Sequence, residues 1–275
     1  MVRENKKAIA LPSDDFSEKK VNTNFSTDII SISQNSSKSK VKKENFSLNL
    51  INKKANLTNL LHIIDEYQIY LKAHGFKFSN NGLPIFTKDM FLDDWADLII
   101  PYANRNNRIV KNKRRTLICF FDKDEHLYQR FIKVFDEIDE YKKYLGVVGI
   151  DVTFTNDMDE EWQKVTSLMN MLFMAILAVN GIKIVLNTRS AALNPQELFI
   201  NIPKGVMAAS GFLGCDKNKS KCDVRYISKI LSIMPSKLII YGKKDEIVEN
   251  QLNMMGINYR RQIDFHVLSK KKEVA

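Results

Sequence analysis

Residues 146–180 read GVVGIDVTFTNDMDEEWQKVTSLMNMLFMAILAVN, and Gly181 then leads into KIVLNT over 183–188. A short apolar run, an acidic turn, a long helical pattern and a second apolar run follow one another. Val- and Ile-rich runs without alternation suit strands buried on both faces. A helix between two such strands is the crossover of a parallel pair. Gly181 stands where a helix C-terminal stop is expected.

The same grammar extends outward from this unit. On its N-terminal side, TLICFF (116–121) is a run and HLYQRFIKVFDEIDEYKKYL (126–145) is helical. On its C-terminal side, LFINI (198–202) and VMAAS (206–210) read as two runs separated by PKG. YISKILSIM (226–234) is helical, KLIIYG (237–242) is a run, KDEIVENQLNMMG (244–256) is helical, and FHVL (265–268) is the last run. Gly256 repeats the role of Gly181. The expected fold is an α/β domain over 116–270 with a mainly parallel sheet, open or barrel-like, and flanking helices.

Residues 56–115 read as a lead-in to that domain. In NLTNLLHIIDEYQIYLKAHGF (56–76), Leu60, Leu61, Ile64, Tyr67 and Leu71 form a helical stripe, with Gly75 at its end. FTKDMFLDDWADLIIPY (86–102) suggests a second short helix, with Thr87 as its N-cap and Pro101 beyond its end. RNNRIVKNKRR (105–115) then gathers Arg105, Arg108, Lys111, Lys113, Arg114 and Arg115, six cations in eleven residues. Lying just before a strand, it is expected to be a surface loop that contacts phosphates or is simply solvated.

Residues 1–55 differ in kind. SISQNSSKSKVKKENFS typifies a Ser-, Asn- and Lys-rich segment without a period, holding 11 basic and 6 acidic residues. Such a composition buries too little apolar area to offset its ordering entropy, so a disordered basic arm is expected. The whole chain of 275 residues carries 42 basic and 32 acidic side chains, a net charge of +10. That balance favours polyanionic partners such as nucleic acid, through phosphate contacts, or an anionic membrane surface.

Cys119, Cys215 and Cys222 are too few and too irregularly spaced for a disulfide framework or a zinc site, so no metal is expected. A reducing, cytoplasmic setting follows, since MVRENKKAIALPSDD has no signal-peptide pattern. LMNMLFMAILAV (168–179) is apolar nearly all round, but shorter than the ~20 residues that cross a bilayer. A buried core helix is expected there, and no membrane span.

In parallel sheets, ligands bind beyond the carboxyl ends of the strands, which turns the strand endings into candidate positions. The strands end at Asp122, Asp151, Asn187 with Arg189, Ser210 and Tyr241, with Asp157 nearby. Asp151, Asp157, Asn187, Arg189 and Tyr241 are the candidates for catalysis. Asp151 would act as base or ion ligand, although pairing with Arg189 as a structural ion pair serves equally. Asp157, ahead of Met158, Asp159, Glu160 and Glu161, also suits a helix cap or first turn. In SGFLGCDKNKSK (210–221), Gly211, Gly214 and Lys217 form a candidate anion-binding turn, matching no standard phosphate-loop motif.

NGLPIF, CFFDKDEHLYQRF, GIDVTFTNDMD, NGIKIVLNTR, FINIPKG, GFLGC and KLIIYG, in that order over about 83–268, resemble a bacterial and phage family known as a domain of unknown function. Its members carry stretches of the type D-F-S-L-Y-x-D-M-P and G-I-x-V-I-P-N, then an I-P motif and a late I-I-x-Y-G strand. By position, Asp151, Asp157 with Met158, Asn187, Pro203, Gly214 and Tyr241 with Gly242 match. Arg189 stands where the family often has an aromatic residue, and Asp159 replaces a proline. The resemblance implies a phage, plasmid or other mobile-element setting and no particular reaction or cofactor. The leading expectation is therefore a nucleic-acid-associated protein of a mobile element, with plasmid or phage replication as its setting. The alternatives are an enzyme acting on a phosphorylated or nucleotide ligand at the strand-end rim, and a host-interaction scaffold.

Overall fold

A computed structural model describes residues 57–122, 124–150, 152, 159–188, 193–211 and 224–273. The arm over 1–55 lies outside the described residues, as do Asp151, Asp157, Arg189, Gly214 and Lys217. Seven strands form a single all-parallel sheet in sequential order. They are β1 (Leu98–Pro101), β2 (Thr116–Cys119), β3 (Gly146–Val148), β4 (Ile184–Asn187), β5 (Ala208–Gly211), β6 (Leu238–Tyr241) and β7 (Tyr259–Gln262). The helices are α1 (Leu57–Ala73), α2 (Asp124–Tyr141), α3 (Glu160–Val179), α4 (Pro195–Leu198), α5 (Val224–Ile233), α6 (Glu246–Met254) and α7 (Phe265–Glu273). The mainly parallel α/β architecture is thus present in its barrel-like form.

Strand order explains the curvature. Right-handed crossovers between successive neighbours put every connecting helix on one face. The other face, equally apolar, has nothing to bury it unless the sheet curls on itself. Alternate residues sort accordingly. Ile100, Ile118, Phe120, Val147, Ile184, Leu186, Ala208 and Ile240 pack with the helices. Ile99, Leu117, Cys119, Val148, Val185, Met207, Ala209, Ile239 and Tyr241 form a separate inner core with no helical residue in it. Burying each large member contributes about 1.5–3 kcal/mol.

No backbone pairing joins β7 to β1 among the described residues; side chains of β7 meet the residues just before β1 instead. β7 is an edge strand, exposed at Arg260 and Arg261. The Gln262 amide donates to the Ala96 carbonyl at 3.2 Å, and the Arg260 guanidinium lies 4.5 Å from the Trp95 ring centroid. Charged residues on such an edge discourage pairing with another chain.

Residues 76–97 form the floor under the N-terminal ends of the strands. Phe91 bridges to Ile184, the Leu92 N–H donates to the Ile184 carbonyl at 2.9 Å, and the Asp97 N–H donates to the Arg115 carbonyl at 2.9 Å. Lys237, just before β6, reaches Asp93 at 2.5 Å. Leu92 and Ala96 plug the inner core from below.

Helices α1 and α3 pack together outside the sheet. The Tyr70 hydroxyl donates to Asn180 Oδ1 at 3.1 Å, and Tyr67 donates to the Phe131 carbonyl of α2 at 2.5 Å. Asp159 caps α3, its carboxylate accepting from the Glu161 and Trp162 N–H groups. Among the described residues α3 alone is long and apolar enough to cross a bilayer, and 61% of that window is buried inside the protein. Its apolar surround is the expected core helix. Gly75, Gly181 and Gly256 all end helices with positive φ, as expected.

Three expectations are corrected. The second lead-in helix is only a 3₁₀ turn over Lys88–Met90, whose N-cap Thr87 makes no side-chain capping bond. The rest of that stretch is extended and becomes β1, because LIIP pairs with β2 and buries three of its four residues. Pro101 is tolerated there since β1 lies at the sheet edge. LFINI is not a strand: α4 begins with Asn194 as cap and Pro195 at its first position, and the chain then turns, leaving Ile200 66% exposed. The final strand is YRRQ rather than FHVL, which belongs to α7.

Candidate functional site

The C-terminal ends of β1 and β2 frame the cavity from which a site can be built. After β1 the chain passes through Tyr102 and Ala103 to Arg105; after β2 it continues as Phe120, Phe121 and Asp122 into α2. The first turns of α2 contribute His126, Leu127, Gln129 and Arg130. These residues, Phe121 apart, line a cavity of about 260 Å³. Tyr102, Phe120 and Leu127 are buried and supply an apolar floor. The polar side chains stand around it. This is the rim at which α/β barrels hold their ligands.

Two guanidiniums approach the Tyr102 ring. Arg105 is centred 4.1 Å from its centroid and Arg130 5.2 Å. Arg105 donates from Nη1 to the Tyr102 carbonyl at 3.1 Å, and its own carbonyl accepts from the Tyr144 hydroxyl at 3.0 Å. Its Nε is buried without a hydrogen-bond partner. Arg130 instead pairs with Glu137, whose other oxygen accepts from the Tyr141 hydroxyl at 2.7 Å. Burial, and then the nearby Glu137 charge, push the Tyr102 phenol up to about 12. The same two causes hold Tyr141 well above the ordinary tyrosine range. Asp122 meets His126 Nδ1 at 3.0 Å across the first turn of α2. No cluster of three or more His, Cys, Asp or Glu side chains suited to a metal occurs among the described residues.

The sequence-derived candidates fall in different places. Asn187 ends β4 and donates from Nδ2 to the Gly149 carbonyl at 3.2 Å, adding a rung beyond the β3–β4 ladder. Tyr241 ends β6 inside the barrel, 1% exposed, and its hydroxyl accepts from the Phe265 N–H at 2.9 Å. Burial raises its pKa far above the ordinary value. Phe121 stacks on it with ring centroids 5.1 Å apart, and a Cβ on Gly211 would come within 3.0–3.3 Å of the Phe121 ring. Gly211 therefore admits a close-packed aromatic lid over the inner core. Neither Asn187 nor Tyr241 lines the rim cavity.

The six cations of 105–115 are divided by the fold. Because β1 and β2 are parallel, the connection must run from the top of one to the bottom of the other. Arg105 remains at the rim. Arg115 sits at the other end, pairing with Asp94 at 2.7 Å and Asp97 at 3.0 Å and donating to the Trp95 carbonyl at 3.0 Å. Lys113 pairs with Glu140 at 3.0 Å, and this bond raises its pKa. Arg114 reaches the Lys142 carbonyl at 3.3 Å. Arg108 and Lys111 are exposed between the two ends.

Sequence reasoning placed Arg105 and Asp122 near a site but missed Tyr102, His126, Gln129 and Arg130. A signal existed. Directly after the strand end at Asp122, His126, Gln129 and Arg130 follow the i, i+3, i+4 spacing that puts side chains on one helical face. Comparison of the chain with protein-family models, curated proteins and solved structures finds no match in any of the three.

Proposed function

We propose that the rim cavity binds a small phosphorylated or nucleotide ligand. The observation that carries this reading is the Arg105 guanidinium on Tyr102, paired with no carboxylate among the described residues and set by an apolar floor at the carboxyl ends of parallel strands. Arginine presents a planar fork of donors matched to phosphate oxygens. The apolar floor suits a ring beside the anion, as pockets for small ligands commonly combine the two. Enzymatic roles for Asp151, Asp157 and Arg189 belong to this proposal as well, and lie outside the described residues. A thermal-shift screen of nucleotides and sugar phosphates tests it. Stabilisation by a ligand, lost in Arg105→Gln, is the expected result; no stabilisation by any of them refutes the reading.

A second reading, association with nucleic acid in a mobile-element setting, draws on the net charge of +10 and on exposed Arg108 and Lys111 in the β1–β2 crossover. Contacts of this kind are made to phosphates without reading bases. Gel-shift titrations at two salt concentrations address it. Affinity that falls steeply with salt supports it, and absence of binding at low salt removes it.

A further inference from the structure

The charged groups around the rim cavity partly cancel. Arg130 is held by Glu137, whose side chain is only 14% exposed, so its charge is offset before any ligand arrives. Asp122 brings a negative charge to the cavity wall beside His126. Arg105 differs from both. Its guanidinium meets a ring face and a neutral carbonyl, no carboxylate among the described residues pairs with it, and its Nε has no hydrogen-bond partner. One cation is therefore left to be balanced by a ligand, and a carboxylate stands nearby to oppose a second negative charge.

A terminal phosphate carries close to two charges at neutral pH, whereas a phosphodiester carries one. Resting on the phosphate-ligand reading above, we infer that the cavity takes a phosphodiester whose neighbouring ring lies on Tyr102, Phe120 and Leu127. Arg105 anchors the single charge, and Asp122 is the specificity-determining residue that disfavours a terminal phosphate. Glu137 is a positioning residue that fixes and neutralises Arg130. Such a diester comes either from a small nucleotide or from an internal linkage of a nucleic-acid strand.

Asp122→Asn is the informative substitution. Asparagine matches the size of aspartate and keeps an oxygen that can accept from His126, so the fold is retained while the charge is removed. Calorimetric titrations of the full chain at pH 8 would compare thymidylyl-thymidine, with one charge, against thymidine 5′-monophosphate, with nearly two. The wild type should prefer the diester on the order of tenfold, the scale of one unit-charge interaction in a partly solvated cleft. Asp122→Asn should remove most of that preference by improving the monoester, and Arg105→Gln should weaken both. Equal affinities in the wild type, or a preference unchanged by Asp122→Asn, would overturn the charge filter while leaving the cavity as a phosphate site. Failure of both probes to bind, or binding indifferent to Arg105→Gln, would overturn the site itself. A thymidine oligonucleotide separates the sources. Binding no tighter than the dinucleotide marks a small ligand, and much tighter, salt-steep binding that still needs Arg105 marks a strand.

Discussion

The Tyr241 hydroxyl accepts a hydrogen bond from the Phe265 backbone N–H at 2.9 Å. The residue that ends β6 inside the barrel thereby holds the first amide of α7, the helix that packs against β1 near the seam between the first and last strands. A tyrosine at a strand end looked like a candidate for chemistry, and its surroundings give it this bond instead. Tyr241→Phe keeps the ring and its stack with Phe121 but leaves a buried amide unpaired. It should cost about 1–2 kcal/mol, read from chemical denaturation, with ligand affinity at the rim unchanged.

Buried phenols also set the alkaline limit of the fold. Tyr102 is pushed up to about 12, chiefly by burial, and Tyr67, Tyr141 and Tyr241 are raised well above the ordinary tyrosine value for the same leading reason. Below the ordinary value of 10 both folded and unfolded chains hold these protons, and stability does not depend on them. Between 10 and about 12 the unfolded chain releases protons that the folded chain retains, so stability falls as pH rises. Absorbance titration of tyrosinate, followed beside circular dichroism, checks this. The buried set should ionise late and together with loss of the native circular dichroism signal.

Two glycines of β3 and its end differ in what surrounds them. A Cβ on Gly146 would lie 2.7 Å from the Lys183 carbonyl oxygen, a backbone atom fixed by the β3–β4 pairing. A Cβ on Gly149 would meet Met174 Sδ at 2.6 Å, the end of a flexible side chain. Gly146→Ala should therefore cost about 1–3 kcal/mol, the usual range for forced overpacking, and Gly149→Ala clearly less. Denaturation midpoints of the two variants side by side decide the matter.

What the sequence revealed follows the strength of the local signal. β2, β4, β5 and β6 were legible because continuous apolar runs are required of strands buried on both faces. β7 was not, since YRRQ at an edge needs no such run, and FHVL, of which only Phe265 is buried, is part of a helix. β1 was hidden because LIIP adjoins a helix-like spacing, and only pairing with β2 makes it a strand. Closure was left open, as sequential order is a property of the assembled sheet. At the rim, strand endings pointed to the end of the barrel where the cavity lies, and Asp122 lines it. The cavity itself needed the first turns of α2, whose His126, Gln129 and Arg130 carry no motif.

The divided basic stretch yields a last pair of predictions. Arg115 is committed to Asp94, Asp97 and the Trp95 carbonyl, tying the floor to the start of β2. Arg108 and Lys111 are exposed along the crossover. Arg115→Ala should lower the denaturation midpoint while leaving polyanion affinity nearly unchanged, because its charge is already matched by two carboxylates. The double variant Arg108→Ala, Lys111→Ala should keep the midpoint and, if the crossover contacts nucleic acid, reduce the slope of log affinity against log salt by about two. A slope that drops for Arg115→Ala but not for the double variant would mean that the floor, rather than the crossover, meets the polyanion.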